Sequence, residues 1–142
     1  MLGRGVLSTL YTLSQQRTHT LTMYLDIDQN KPSNRRRGSV VQAEAMLKGL
    51  KAQQTRSDRL DTACKQALSL VRNLKPRGKS ALIVVHPETK LREVVQTEIA
   101  FPASVHWRRG AFLRPVVEAM DEHERYGVVL TDNQRARLFT VF

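Results

Sequence analysis

The seven residues SALIVVH, from Ser80 to His86, constrain the fold more than any other stretch of this sequence. Five consecutive apolar residues lie between two turn-forming segments, Lys75–Lys79 before them and Pro87–Lys90 after them. A short apolar run of this kind, rich in β-branched residues and bounded by turns, is typical of a buried strand. It is too apolar for one of its faces to meet water. The sequence therefore predicts a fully buried strand, around which the other elements have to be arranged.

Two amphipathic helices are predicted between this strand and an earlier one. Residues 21–27 alternate between apolar and other side chains, which is typical of a strand. Ser39, with Gln42 three residues later, predicts a capping box at the start of the first helix, and Thr55 with Asp58 predicts a second cap. The apolar stripes expected to face the core are Val40, Ala43, Leu47 and Leu50 in the first helix, and Leu60, Ala63, Cys64, Ala67, Leu68 and Val71 in the second.

The order of the elements predicts the class of fold. The remaining predicted elements are a helix over residues 5–14, strands over residues 91–101 and 103–107, a helix that starts near Pro115, and a closing hairpin over residues 125–142 with its turn at residues 131–134. Together these segments predict an α/β fold in which a mixed sheet is packed with a helical hairpin. A terminal β-hairpin follows that sheet.

The charge of the chain narrows the class of partner. There are 23 Lys and Arg residues against 13 Asp and Glu, for a net charge of +10. Such an excess attracts phosphate groups over about 8–10 Å at physiological salt. RNA or DNA is therefore the leading class of partner, and an anionic membrane surface is the second. Aromatic residues make up only 6%, so a platform on which single-stranded bases could stack is poorly supplied. No apolar run approaches the roughly 20 residues of a membrane helix.

The composition of the N-terminus leaves two interpretations open. The first acidic residue is Asp26, and the residues before it are rich in Ser and Thr and include Arg4 and Arg17. An organelle transit peptide has such a composition. The stretch runs directly into a strand-like segment, however, so an N-terminal helix leading into the first strand is the preferred interpretation. The lone Cys64 excludes an internal disulfide and fits a reducing compartment, and we expect the protein to be cytoplasmic.

No catalytic centre, metal site or cofactor site can be identified in this sequence. The four histidines lack the spacing of a zinc site: His19, His86, His106 and His123. The RGKS stretch at residues 77–80 lacks the first glycine of a P-loop, because Asn73 stands there, and a strand rather than a helix follows it. Lys79 is then a charge flanking a strand. Asp26 and Asp28 share a strand face and could bind a metal or act as acid and base, but a strand-end turn with local ion pairing is favoured.

Two clusters of arginines are candidates for phosphate contact. The arginines are Arg35, Arg36 and Arg37 in the first cluster, and Arg108 and Arg109 in the second. Three guanidiniums beside a helix N-terminus suit an anion. The same stretch also fits a solvated loop in which Ser39 caps the helix, or a site at Ser39 for a basophilic kinase. In the second cluster, Trp107 either stacks on a base or packs against the sheet.

Three stretches of the sequence carry a resemblance to a known family. They are LTMYLDIDQNKP at residues 21–32, SALIVVHPETKLREVVQTEI at residues 80–99, and LRPVVEAMDEHERYGVVLTDNQRARLFTV at residues 113–141. Over roughly residues 7–142, the chain resembles the N-terminal part of class-one peptide-chain release factors of the archaeal and eukaryotic type. It is more similar to their bacterial relatives, the bacterial archaeo-eukaryotic release-factor-like proteins. The strand ending in Asp-x-Asp and the Tyr-Gly-Val-Val-Leu hairpin are the shared motifs.

The resemblance implies a division into two domains. Residues 1–124 would form an N-terminal release-factor-like domain, and residues 125–142 the first hairpin of a truncated second domain. In the family that second domain brings a Gly-Gly-Gln loop to the peptidyl-transferase centre. No Gly-Gly-Gln occurs here, so any hydrolytic chemistry of a parent protein would lie beyond Phe142. Residues 53–57, at the place of the family's Asn-Ile-Lys-Ser loop, lack that motif, so ribosome rescue is favoured over stop-codon reading. Arg56 and Arg59 are candidate phosphate contacts there.

The resulting functional prediction is a ribosome-associated, release-factor-like protein whose parent acts in ribosome rescue or peptidyl-tRNA release. Its expected partners are the ribosome, rRNA or tRNA, with no membrane and no cofactor. The alternative is a generic RNA-binding α/β domain without catalysis. The closing hairpin would also offer an unpaired apolar edge to a second copy, which would give a homodimer. The residues concerned are Leu138, Phe139, Val141 and Phe142.

Overall fold

The computed structural model describes residues 11–12, 18–89, 91–124, 127–132 and 135–140, and from residue 120 onward it describes the backbone. The strands are β1 (His19–Asp26), β2 (Ser80–His86), β3 (Leu91–Thr97), β4 (Ser104–Arg109), β5 (Gly127–Asp132) and β6 (Arg135–Thr140). The helices are α1 (Gly38–Gln53), α2 (Asp58–Arg72) and α3 (Arg114–Glu124), with a 3-10 helix at Pro32–Asn34. Within these described ranges, no helix combines the length and the apolarity needed to cross a membrane.

Four strands form one sheet in the order β3-β2-β1-β4, and all three pairings are antiparallel. The two helices between β1 and β2 explain this direction. Helix α1 returns the chain to the start of β1, and α2 brings it back to the end of β1, so β2 has to run the opposite way. The predicted α/β fold with a packed helical hairpin is confirmed. The sheet is antiparallel rather than mixed, because a parallel pair would need a crossover with a single helix.

The two central strands are buried on both faces. All seven residues of β2 are buried, which confirms the prediction for this strand. In β1, Leu21, Met23 and Leu25 belong to the core that lies under α1 and α2. Tyr24 points to the opposite face, where it joins a second core cluster. The sheet therefore needs a cover on each side.

The helical hairpin covers one face with the stripes that the periodicity predicts. The buried residues are Val40, Ala43, Leu47 and Leu50 in α1, and Leu60, Ala63, Cys64, Ala67 and Val71 in α2, with Leu68 half-buried. Helix α2 begins after Ser57, whose Oγ accepts a hydrogen bond of 3.1 Å from the backbone N–H of Leu60. The predicted cap of Thr55 with Asp58 is wrong, because Ser57 satisfies the free amide of the first turn instead.

Helix α3 and the segment before it cover the opposite face. Val116 and Ala119 of α3 join the second core cluster, and Pro115 is the second residue of this helix, within one residue of its predicted place. The ring of Phe101 lies 5.4 Å from that of Tyr24 in an edge-on arrangement. The Tyr24 hydroxyl donates a hydrogen bond of 2.6 Å to the carbonyl of Phe112. Burial raises the pKa of this hydroxyl above its ordinary value, so it stays a donor.

The closing hairpin is confirmed as a separate two-stranded sheet of β5 and β6. Val128 pairs with Phe139, and the pairing extends to Asp132 with Arg135, so Thr131 and Asp132, which were predicted to lie in the turn, belong to β5. The predicted helix over residues 5–14 falls mostly outside the described residues, of which Tyr11 and Thr12 are helical. The division of the chain at residue 124 stays a prediction.

Candidate nucleic-acid interface

The antiparallel sheet has two ends, and the candidate residues are divided between them. At the Asp26 end, Asp26 of β1 pairs with Ser80, and the loop to α1 begins. At the opposite end, which we call the His19 end, His19 pairs with Arg109 of β4. His86, the last residue of β2, also lies at this end. The direction of each strand therefore decides which loops meet in space.

The structure does not bring the seven predicted phosphate-binding arginines together. Arg35, Arg36 and Arg37 lie in the loop at the Asp26 end. The other four lie at the His19 end, in the α1–α2 loop, at the start of α2 and at the end of β4: Arg56, Arg59, Arg108 and Arg109. A single surface that includes all seven is excluded by this arrangement.

Most cations at the His19 end already have a partner. The Nη2 atom of Arg59 lies 2.5 Å from Oε1 of Glu88 in the β2–β3 turn. The Nε atom of Arg56 lies 4.0 Å from Oδ2 of Asp61. The guanidinium of Arg108 lies over the ring of Phe112, 5.2 Å from its centroid. These contacts partly neutralise or occupy the side chains, which lowers their value as phosphate contacts.

At the Asp26 end, a hydrogen-bonded network fixes the arginine loop. Asn34 is only 5% exposed, and its Nδ2 donates to Oδ1 of Asp26 at 2.9 Å and to the carbonyl of Asp28 at 3.0 Å. The Nε2 of Gln29 donates to the carbonyl of Asn34 at 3.2 Å. The carbonyl of Gln29 accepts a bond of 3.0 Å from Nε of Arg35. The loop is thus held in one conformation before any ligand arrives.

Asp26 is the acceptor at the centre of this network. Its Oδ2 lies 2.6 Å from Nζ of Lys31, and its Oδ1 also accepts a bond of 3.1 Å from the backbone N–H of Asp28. Partial burial alone would raise the pKa of Asp26. The bonds from Lys31, Asp28 and Asn34, with the charge of Lys31, outweigh it and hold this pKa below the ordinary value. The interpretation as a strand-end turn with local ion pairing is confirmed.

The start of α1 differs from its prediction. Arg37 occupies the N-cap position without a side-chain hydrogen bond, and its φ of 66° follows a φ of 52° at Arg36. The Oε1 of Gln42 accepts a bond of 3.0 Å from the backbone N–H of Asp26. The predicted capping box of Ser39 with Gln42 is therefore wrong, because the Gln42 amide is used to join α1 to β1. Ser39 is only 4% exposed, so its hydroxyl is closed to a kinase in the folded protein.

Three further cations lie at the Asp26 end, in the loop between α2 and β2. They are Lys75, Arg77 and Lys79, and all three are exposed. The backbone N–H of Lys79 donates to the carbonyl of Thr97 at 2.9 Å, and its carbonyl accepts from Ile27 at 3.0 Å. These bonds place the loop beside the end of β1. The sequence pattern predicts Lys79 only as a charge that flanks a strand. Its place at the Asp26 end follows from the pair of helices, which brings this loop back to the end of β1.

Six exposed cations thus share the Asp26 end of the sheet, and we call them the Asp26-end cluster. Its members are Arg35, Arg36, Arg37, Lys75, Arg77 and Lys79. Within the described part of the chain, none of the six forms an ion pair, whereas the acidic Asp26 beside them is paired with Lys31. Helix α1 also begins here, with no acidic residue in its first turn. The N-terminal end of its dipole adds to the positive potential.

The second cluster predicted from the sequence is rearranged by the packing of β4. Trp107 packs against the core, and its ring lies 5.3 Å from that of His19, which confirms the packing interpretation. The ring of His106 instead lies on the other face, 4.0 Å from the ring of Phe112. Burial lowers the pKa of His106, and the charge of Arg108 lowers it further. A neutral imidazole suits its contact with the aromatic ring.

The described residues give no sign of a metal site. Among them, no three His, Cys, Asp or Glu side chains are grouped closely enough to hold an ion. Cys64 is 3% exposed, on the buried stripe of α2, as expected of a core thiol. Burial raises its pKa, and the nearby charges of Lys51 and Asp61 act in opposite directions.

A comparison with known protein families gives a match to a part of the chain. Residues 112–142, which extend from the segment before α3 through the closing hairpin, match a family of bacterial release factors. That family is the bacterial archaeo-eukaryotic release factor family 10. Over residues 112–142 the match confirms the resemblance seen in the sequence, and it supports a translation-related, release-factor-like role at the level of that family. No curated protein matches the chain.

Proposed function

We propose that this protein binds the ribosome through ribosomal RNA, as a release-factor-like protein, and that the Asp26-end cluster supplies the phosphate contacts. The observation that carries the proposal is the grouping of six exposed cations that have no ion-pair partner within the described ranges. Phosphate oxygens are the ligands that such a group of Lys and Arg side chains prefers. The family match supplies the setting in translation.

The proposal extends to the role of the whole protein. It acts in ribosome rescue or in peptidyl-tRNA release, in the cytoplasm, and residues 1–124 are its ribosome-binding domain. The hairpin of β5 and β6 does not hydrogen-bond to the four-stranded sheet, and this separation supports its assignment to a second domain.

The cluster has a definite consequence for the effect of salt on binding. Each phosphate contact releases condensed counterions, which lowers the logarithm of affinity by about 0.7–0.9 per tenfold rise in salt. Contacts by all six side chains would therefore weaken binding by about a thousandfold between roughly 50 and 200 mM salt. The His19 end would add little, because Arg56 and Arg59 are paired with carboxylates.

Two matched triple variants test the proposal by co-sedimentation with ribosomes over a range of salt. The first replaces Lys75, Arg77 and Lys79 with Gln, and the second replaces Arg56, Arg59 and Arg109 with Gln, so that each loses three positive charges. In a plot of the logarithm of affinity against the logarithm of salt concentration, we expect the slope of the first variant to be less steep than that of the wild type by about two. The slope of the second variant should be almost that of the wild type.

Three outcomes would contradict parts of this proposal. Equal losses in both variants would mean that net charge, and not the Asp26-end cluster, determines binding. Equal affinity of the wild type for ribosomes and for an unrelated RNA duplex would favour a generic RNA-binding domain. The absence of co-sedimentation at low salt would exclude ribosome binding by this chain.

A further inference from the structure

A groove lies beside the Asp26-end cluster, between the end of α2 and strand β3. Its volume is about 410 Å³, and three of its lining residues are the half-buried Leu70, Leu74 and Val94, which pack against the core. Sites for small organic groups generally measure about 300–1,000 Å³. Two grooves beside α1 and α2, of about 230 and 280 Å³, fall below that range.

This groove differs from the other two in the charge of the residues that line it. Lys75 and Arg77 stand at its rim, and no acidic residue lines it. Glu44 lines one of the smaller grooves, and Asp61 lines the other. An apolar floor with two cations and no acidic residue at its rim is complementary to a ligand that joins an apolar ring to a phosphate.

The cationic rim is held in place by one side chain of β3. The Oε1 of Gln96 accepts a bond of 2.6 Å from the backbone N–H of Arg77, and its Nε2 donates to the carbonyl of Lys75 at 3.2 Å. Pro76, between these two residues, fixes a further backbone torsion. The backbone of the rim is therefore preorganised, whereas the two charged side chains stay exposed. Such an arrangement lowers the entropy that binding has to overcome.

We infer that the groove binds one unpaired nucleotide of an RNA strand that crosses the Asp26-end cluster. The base lies on Leu70, Leu74 and Val94, and its phosphate contacts Lys75 and Arg77. The inference rests on the proposed function, since the cluster first has to bind RNA. It also gives this protein a way to hold a base without an aromatic platform, because aliphatic side chains supply the apolar surface.

The test compares two labelled strands by fluorescence anisotropy with the full chain. One is an unstructured RNA of ten nucleotides, and the other is an abasic ribose-phosphate strand of the same length and charge. We expect the wild type to bind the RNA about tenfold more tightly than the abasic strand, because the base buries apolar surface on the aliphatic floor of the groove. Leu74→Gln removes part of the apolar floor without changing any charge. It should abolish most of this preference and leave the binding of the abasic strand unchanged.

Leu91→Gln is the matched control, because Leu91 is also half-buried but lies at the His19 end. It should retain the tenfold preference. Equal binding of both strands by the wild type, or an unchanged preference in Leu74→Gln, would overturn the nucleotide groove and leave the cluster as a surface for phosphates. Failure of the wild type to bind either strand would overturn the groove as a site for single-stranded RNA, whereas the co-sedimentation with ribosomes decides the proposed function separately. The comparison on the wild type needs no variant, so it decides the question even if Leu74→Gln does not fold.

Discussion

Asp26 and Asp28 are chemically identical and two residues apart, yet the structure predicts very different losses when each is replaced by Ala. Asp26 accepts hydrogen bonds from the buried amide of Asn34, the backbone N–H of Asp28 and the exposed Lys31. Within the described residues, the side chain of Asp28 accepts one hydrogen bond, of 3.0 Å, from the exposed backbone N–H of Asn30.

The expected losses follow from the donors that each variant leaves unpaired. A buried donor without an acceptor costs about 1–3 kcal/mol, whereas an exposed one regains water. In Asp26→Ala the N–H of Asp28 loses its acceptor, and the amide of Asn34 keeps only the carbonyl of Asp28. We expect this variant to lose about 2–3 kcal/mol in free energy of unfolding and Asp28→Ala about 0.5 kcal/mol. Urea unfolding followed by the fluorescence of Trp107, the single tryptophan, measures both.

The effect of pH provides an independent check of the same reasoning. The pKa of Asp26 is lower in the folded protein than its ordinary value of 3.8. The stabilisation by this carboxylate is therefore present above that value and is lost as the pH falls through the lower folded pKa. The difference between the wild type and Asp26→Ala should shrink below about pH 4. Equal losses in the two alanine variants, or a difference that persists undiminished at pH 2, would refute the reasoning.

Four further predictions concern the cap of α2, two glycines and the thiol. Ser57→Ala should lose about 1 kcal/mol of stability and Thr55→Ala almost none, as measured by urea unfolding, because Ser57 caps α2. Gly78→Ala should destabilise by about 2 kcal/mol or more, since its φ is 85° and a Cβ would lie 2.6 Å from a backbone oxygen. Gly49→Ala, in open space on α1, should stabilise by up to about 1 kcal/mol; a loss there would contradict the helix assignment. Cys64 should react with a thiol reagent at pH 8 only in urea, and fast labelling without urea would show that α1 and α2 separate readily.

The elements of the fold could be predicted because their signals are local. The apolar run of β2 and the periodicity of α2 identify a strand and a helix whatever the rest of the chain does. The caps could not be predicted with the same success. Gln42 has the spacing of a capping residue, but its amide bonds to Asp26, which lies on another element. A residue from another element can compete for the side chain of a potential capping residue, and a local sequence pattern carries no information on that competitor.

The candidate site depended on topology, which the sequence pattern described only in part. Arg35 and Arg109 are equally basic in the sequence, but they lie at opposite ends of the sheet. Lys79 is far from Arg35 along the chain, yet it shares an end with that residue because two helices separate β1 from β2. Net charge predicts a polyanionic partner, and the direction of each strand is needed to say which charges act together.

The central position of β1 has a consequence for the order in which the chain can fold. Leu21 pairs with Val85 on one side and with Trp107 on the other. Strand β1 is therefore synthesised long before β2 and β4, the two strands with which it pairs. Closing such long loops costs conformational entropy before any contact compensates for it, and pairings of this kind slow folding. During synthesis, α1 and α2 can form early, but β1 keeps an unpaired edge until residue 109 has been added. A nascent chain that stalls before that point would expose an apolar strand to its neighbours.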